Sequence, residues 1–101
     1  MKKGSHSNPP QFEAFLWDGE SQLSGRLELG VDAVLFKPTS FTDTHLQLII
    51  PYARIQSVDE FLLYGIVRNG IKIRSQEDRV DDFIMEQAGT FKAALLFRLS
   101  L

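Results

Sequence analysis

The sequence predicts a mainly β domain of the α+β kind: an antiparallel barrel or sandwich of about seven short strands, closed by one C-terminal helix. Three observations predict it. Short apolar runs alternate with period two between Gly, Pro, Asn and Asp punctuation. The last dozen residues instead carry large apolar side chains at i, i+4 and i+8. The length of 101 residues fits one core of ordinary size and leaves no room for two.

Residues 1–10 are polar and rich in Ser, Asn and Pro, which reads as a flexible N-terminal tail. Residues 11–101 read as the single domain. Phe12, Phe15 and Trp17 form an aromatic-rich strand that ends at the turn pair Asp18-Gly19. Leu23, Leu27 and Leu29 share one face of the next strand, with Ser24, Arg26 and Glu28 on the other. Val34-Leu35-Phe36 is a third, stopped before Pro38, which has no ladder donor. Thr44–Ile50 is a fourth, ended by Pro51. From Arg54 to Phe61 the apolar residues Ile55, Val58 and Phe61 are three apart. This predicts a strand with a β-bulge near Ser57, with a short helical turn as the competing reading. Asn69-Gly70 is the pair favoured in a type I′ hairpin turn. Ile71 and Ile73 follow on one face, Lys72 and Arg74 on the other. Ser75–Asp78 is a second turn, and Arg79–Met85 a last strand with Val80, Phe83 and Met85 as core candidates.

Thr90–Leu99 is rich in good helix formers, with Thr90 as an N-cap candidate and Arg98 suited to the C-terminal dipole. A helix of about twelve residues is marginal in isolation and must dock. Burying Phe91, Leu95 and Leu99 at about 2 kcal/mol each suffices to hold it.

Composition excludes several functions. The hydrophobic share of 44% and charged share of 24% are those of a folded globular chain. The formal net charge of −2 lacks the basic excess that drives nucleic-acid binding or adsorption to anionic lipid. There are no cysteines, so disulfides, thiolate metal sites and cysteine nucleophiles are out together. Met1–Pro10 has a charged start with no apolar run behind it, unlike a signal peptide. No stretch reaches the ~18–20 apolar residues of a membrane helix. A cytoplasmic protein, with a peripheral position at a membrane left open, is the expectation.

Chemistry-bearing clusters are sparse. His45 and Asp43 sit i, i+2 and imitate a base and its orienting partner, but no nucleophile elbow accompanies them. As metal ligands they number two where a stable site takes three or four. Asp81-Asp82 and Glu77-Asp78 lack a calcium-loop spacing and read as a solvated edge and turn. No cofactor is expected and no enzyme. Arg68, Lys72, Arg74 and Arg79 are four cations in a short stretch that could meet a phosphate or an acidic partner; the plainer reading is the wet face of a sheet. Leu62, Leu63 and Tyr64, in the apolar run Phe61–Val67, and Phe97 on the helix are the candidate apolar partner surface, against core burial as the plainer reading.

Three ordered patterns resemble a GRAM domain, a variant of the pleckstrin-homology (PH) fold. These are Gly25-Arg26-Leu27-Glu28-Leu29 through Val34-Leu35-Phe36, Ile50-Pro51 with Ile55-Gln56-Ser57-Val58, and Gly70-Ile71-Lys72-Ile73 through Phe83 with the helix near Phe91–Leu99. They cover about three quarters of the chain. The resemblance implies a PH-like barrel whose helix plugs one open end. It implies a non-catalytic module that binds a protein partner or membrane lipid headgroups. Lipid pockets of this group use basic residues around the first hairpin loop; here that loop, Asp18–Gln22, is acidic. The alternative function is a self-assembling structural domain, a homo-oligomer with no small-molecule ligand; a small enzyme or ligand carrier ranks last.

Overall fold

The strands run in the order that the alternating patterns predict. The structure, a computed structural model, describes residues 10–17, 19, 21–39, 47–63 and 68–100, without the side chains of Leu63 and Arg68. Within these residues the elements are β1 (Gln11–Trp17), β2 (Gln22–Leu29), β3 (Ala33–Pro38), β4 (Leu48–Pro51), a 3-10 turn (Tyr52–Arg54), β5 (Ile55–Leu63), β6 (Arg68–Ser75), β7 (Arg79–Ile84) and α1 (Ala88–Leu99). The tail residues 1–9 and the first part of the expected fourth strand, Thr44–Leu46, lie outside the described residues.

All pairings are antiparallel, in the order β4-β3-β2-β1-β7-β6-β5. β1 pairs with β2 along its whole length and with β7 only from Phe15 to Trp17, so it belongs to both halves of the sheet. The described strands form a barrel-like sheet that is not closed by hydrogen bonds. β4 and β5 are its two edges, and α1 packs against β5, β6 and the 3-10 turn.

Alternation builds the core. Phe12 and Ala14 of β1, Leu27 and Leu29 of β2, Val34 and Phe36 of β3, and Ile71 and Ile73 of β6 all turn inward and are buried. The Phe36 and Phe83 rings meet with centroids 5.5 Å apart, tying β3 to β7. From α1, Phe91 and Leu95 enter the core, and Leu99 packs partly buried against it. The Phe91 ring meets that of Phe12 edge-on at 5.2 Å.

The bulge in β5 is present: register shifts between Ile55 and Ser57, so Ile55 faces Ser75 and Val58 faces Ile73 on the inward side. Phe61 departs from the expected inward set. It lies opposite Gly70 on the outer face. That explains a second difference. Asn69-Gly70 is not a turn but part of β6, paired with Leu62 and Phe61. The glycine is there because the Phe61 ring lies where a Cβ would stand. The residues joining β5 to β6 are 64–67, outside the described set. Left-handed backbone instead occurs at Glu77 (φ 67°) and Asp78 (φ 62°), in the predicted turn between β6 and β7.

Two end effects also differ from expectation. Val80 is 43% exposed, because β7 turns Asp81 and Phe83 inward and Val80 lies opposite Arg74. The helix begins at Ala88, capped by Gln87 with no side-chain bond, so Thr90 lies inside its first turn. Ala88 is buried, and packing of that residue sets the start ahead of capping preference.

The helix is locked at its far end. The carbonyl oxygen of Gly30, in the β2–β3 turn, accepts the Tyr52 hydroxyl at 2.8 Å and Arg98 Nη1 at 3.0 Å. Burial holds the Tyr52 phenol above its ordinary pKa, opposed by the Arg98 charge and its hydrogen bond, with Asp32 adding a small upward push. Arg98→Ala is expected to cost about 1–2 kcal/mol through this lost charge-assisted bond, read by urea denaturation. A change inside error would show that the junction carries no weight.

Candidate outer-face and edge sites

The outward row across β5, β6, β7 and β1 is Asp59, Lys72, Asp82 and Trp17. Lys72 Nζ sits 2.8 Å from Asp82 Oδ1 and 5.6 Å from the Phe61 ring centre, half-buried between an anion and an aromatic face. Arg74 follows two residues on, exposed, with Ser57 and Val80 beside it.

The four candidate cations do not form one patch. By alternation along β6, positions 72 and 74 share the outer face. The Arg68 side chain lies outside the described set. Arg79 stands opposite Ser75, which is buried, and so lies on the inner face at the rim. Its Nε donates to Asp81 Oδ2 at 2.9 Å and its Nη1 to the Ile49 carbonyl at 3.2 Å. The second bond reaches β4, the opposite edge of the sheet.

Asp81 faces Ile73, and burial raises its carboxyl pKa above the ordinary value. The Arg79 charge and hydrogen bond oppose the shift, and Asp82 adds to it. The sign follows. Where the native carboxyl holds its proton more tightly than the unfolded one, the native state binds more protons, and stability falls as pH rises. This contribution is fully present below the unfolded pKa and lost as pH climbs through the native one. Asp81→Asn is therefore expected to gain on the wild type as pH rises from about 3 to 7 in thermal melts. A gap between the two that is flat or reversed across that range refutes it.

Of the candidate apolar surface, Leu62 is 55% exposed on edge strand β5, and Phe97 is 64% exposed on α1. The Leu63 side chain and Tyr64 lie outside the described residues, as do Asp43 and His45. Among the described residues no three His, Asp or Glu side chains group as metal ligands. No helix among them is long and apolar enough to cross a membrane.

A feature that pattern reading missed is a groove of about 730 Å³ where β7 stops short of β1. Glu13 and Phe15 of β1 form one wall; Ile84 to Gln87, leaving β7 for the helix, form the other. The sequence signal for it is faint: a seven-residue strand faces a partner that runs out after three pairs.

Nothing matches the sequence among family models or among curated proteins. Solved structures do match. The C-terminal domain of an unknown protein from Leishmania infantum aligns with a TM-score of 0.79 at 15% identity, over 91% of this chain and 83% of that one. The Vps36 N-terminal PH domain aligns with a TM-score of 0.69 at 11% identity, over 89% of this chain and 80% of that one.

The fold is PH-like. At these identities the likeness is one of backbone path, and it transfers no site. In PH-like terms, α1 is the helix at the end of the barrel, and β4 and β5 are the two strands between which this sheet stays open. The groove lies apart from that seam, where β1 outruns β7.

Proposed function

We propose that this PH-like domain is a non-catalytic, cytoplasmic interaction module of the GRAM type, and that it binds a protein partner. One observation carries the choice of protein over lipid: two of the four candidate cations, Lys72 and Arg79, are already held in ion pairs. Lys72 is paired with Asp82, Arg79 with Asp81, and the β6–β7 turn contributes Glu77 and Asp78. With these pairs compensated and a formal net charge of −2, the chain has little electrostatic attraction for a phosphoinositide or phosphatidylserine membrane. Co-sedimentation with vesicles of phosphatidylcholine carrying phosphatidylserine or phosphoinositide tests this at low salt, where electrostatic attraction is strongest. The chain is expected to stay in the supernatant. Salt-sensitive sedimentation overturns the reading.

The second reading is self-assembly, and the exposure of Leu96 and Phe97 on α1 favours it. Light scattering across concentration separates the two. A monomer at high concentration leaves the partner reading; a closed dimer or ring replaces it.

A further inference from the structure

We infer that the groove beside the first half of β1 takes an extended peptide with an apolar–basic–apolar core, added to the sheet as a strand. The inference rests on the proposed role as a protein-binding module and names its partner class.

The argument starts with backbone direction. Leu29 N–H donates to the Pro10 carbonyl at 3.1 Å, so Pro10 and Leu29 form a hydrogen-bonded pair in the β1–β2 ladder. Antiparallel pairs alternate. Even-numbered residues of β1 therefore turn their N–H and C=O toward β2, and odd-numbered ones turn theirs the other way. On that other side Phe15 and Trp17 meet Ile84 and Asp82 of β7. Gln11 and Glu13 come next along the same edge, and no strand among the described residues faces them. β7 has ended, and Met85 N–H is committed to the Asn69 carbonyl at 2.9 Å. Two residues thus present two donors and two acceptors to an open groove rather than to a ladder.

Size and charge define the occupant. About 730 Å³ falls within the roughly 300–1,000 Å³ of ligand sites. Pairing with Gln11 and Glu13 engages a peptide of about four residues at ~3.4 Å each. The groove carries two carboxylates, Glu13 and Glu86, and no lysine or arginine among its lining residues. A peptide residue directly opposite Glu13 shares its outer face, so a Lys or Arg there makes a cross-strand ion pair. Its two neighbours point the other way, to the inner face that Phe12 and Ala14 occupy on β1, both buried and apolar. The result is an apolar–basic–apolar core.

The test uses the full chain and a labelled peptide, acetyl-Gly-Val-Arg-Val-Gly-amide, followed by fluorescence anisotropy and by amide shifts in NMR. Saturable binding is expected, with the Gln11 and Glu13 amides among the largest shifts. Glu13→Gln, at an exposed position opposite Arg26, is expected to keep the melting temperature within a few degrees and weaken binding about five-fold or more. A peptide methylated on its backbone nitrogens keeps its charge but cannot pair, and is expected not to bind. Equal binding by the methylated peptide reduces the effect to charge attraction and overturns the strand addition. So does absence of binding, or shifts confined to the β6–β7 turn. Binding seen only after Lys2→Glu and Lys3→Glu assigns the groove to the chain's own first residues and overturns the partner. Failure here with vesicles still unbound removes the groove alone; vesicle sedimentation removes the broader reading.

Discussion

Phe91→Ala is expected to cost about 3–5 kcal/mol, a large part of the stability of a domain this size. The side chain is fully buried, and its ring stands edge-on to Phe12 at 5.2 Å. Truncation therefore loses transfer free energy, leaves a cavity, and removes an aromatic pair worth about 0.5–1.5 kcal/mol. The consequence is not local. α1 has no side-chain N-cap and no acidic residue in its first turn, so its own end interactions are weak. Twelve residues do not hold a helix in water. What holds α1 is the burial of Ala88, Phe91 and Leu95, together with the Arg98 bond to Gly30. Urea denaturation followed by circular dichroism should show the midpoint fall, with the helical and near-ultraviolet signals lost together. Phe97→Ala, on the exposed side of the same helix, is the control and should change stability by less than about 1 kcal/mol. If Phe91→Ala is as mild as that control, the helix does not stopper this fold.

The comparison of those two phenylalanines shows what the sequence reveals and what it hides. The stripe Phe91, Leu95, Leu99 is legible because helical period and burial coincide. The β5 bulge is legible because Ile55 and Val58 break the period of two, and only an inserted residue restores a common face. Strand order and the closing helix follow from such patterns. The rest depends on which strand stands beside which. Asn69-Gly70 carries a turn signal, yet the reason for the glycine sits on another strand, at Phe61. Arg79 looks like a fourth member of a cationic face. A three-residue turn after Ser75 carries it to the inner rim beside Asp81. Glu28 alternates with Leu27 and Leu29 and so reads as wet, but it is 6% exposed, with its carboxylate against Lys37 Nζ at 2.6 Å. The groove at β1 is hidden for the same reason. It is made by an offset between β1 and β7, which share only three pairs, and local pattern does not express that register.

Gly25→Ala is the other large effect, about 3 kcal/mol, and it arises from one methyl group. Gly25 pairs with Ala14 on one side and Pro38 on the other, inside the β1–β2–β3 ladder. A Cβ there would lie 2.5 Å from the Lys37 carbonyl oxygen and 2.5 Å from Phe36 Cζ. Neither neighbour yields cheaply. The carbonyl belongs to β3, which is paired on both edges, and the Phe36 ring is buried against Phe83. Gly70→Ala makes an informative contrast. There the obstructing group is the Phe61 side chain, only half-buried at the outer face, and it can swing aside at the loss of its contact with Lys72. About 1 kcal/mol is expected for that change. Gly19 completes the series: its φ of 98° disfavours any side chain, but no described residue stands within 4 Å, so Gly19→Ala is expected to carry backbone strain alone, about 1–2 kcal/mol. The three variants, unfolded in urea with equal slopes, should rank Gly25 first by a clear margin. A Gly25→Ala protein as stable as the Gly70→Ala protein would mean that β2 and β3 lie farther apart than the register requires.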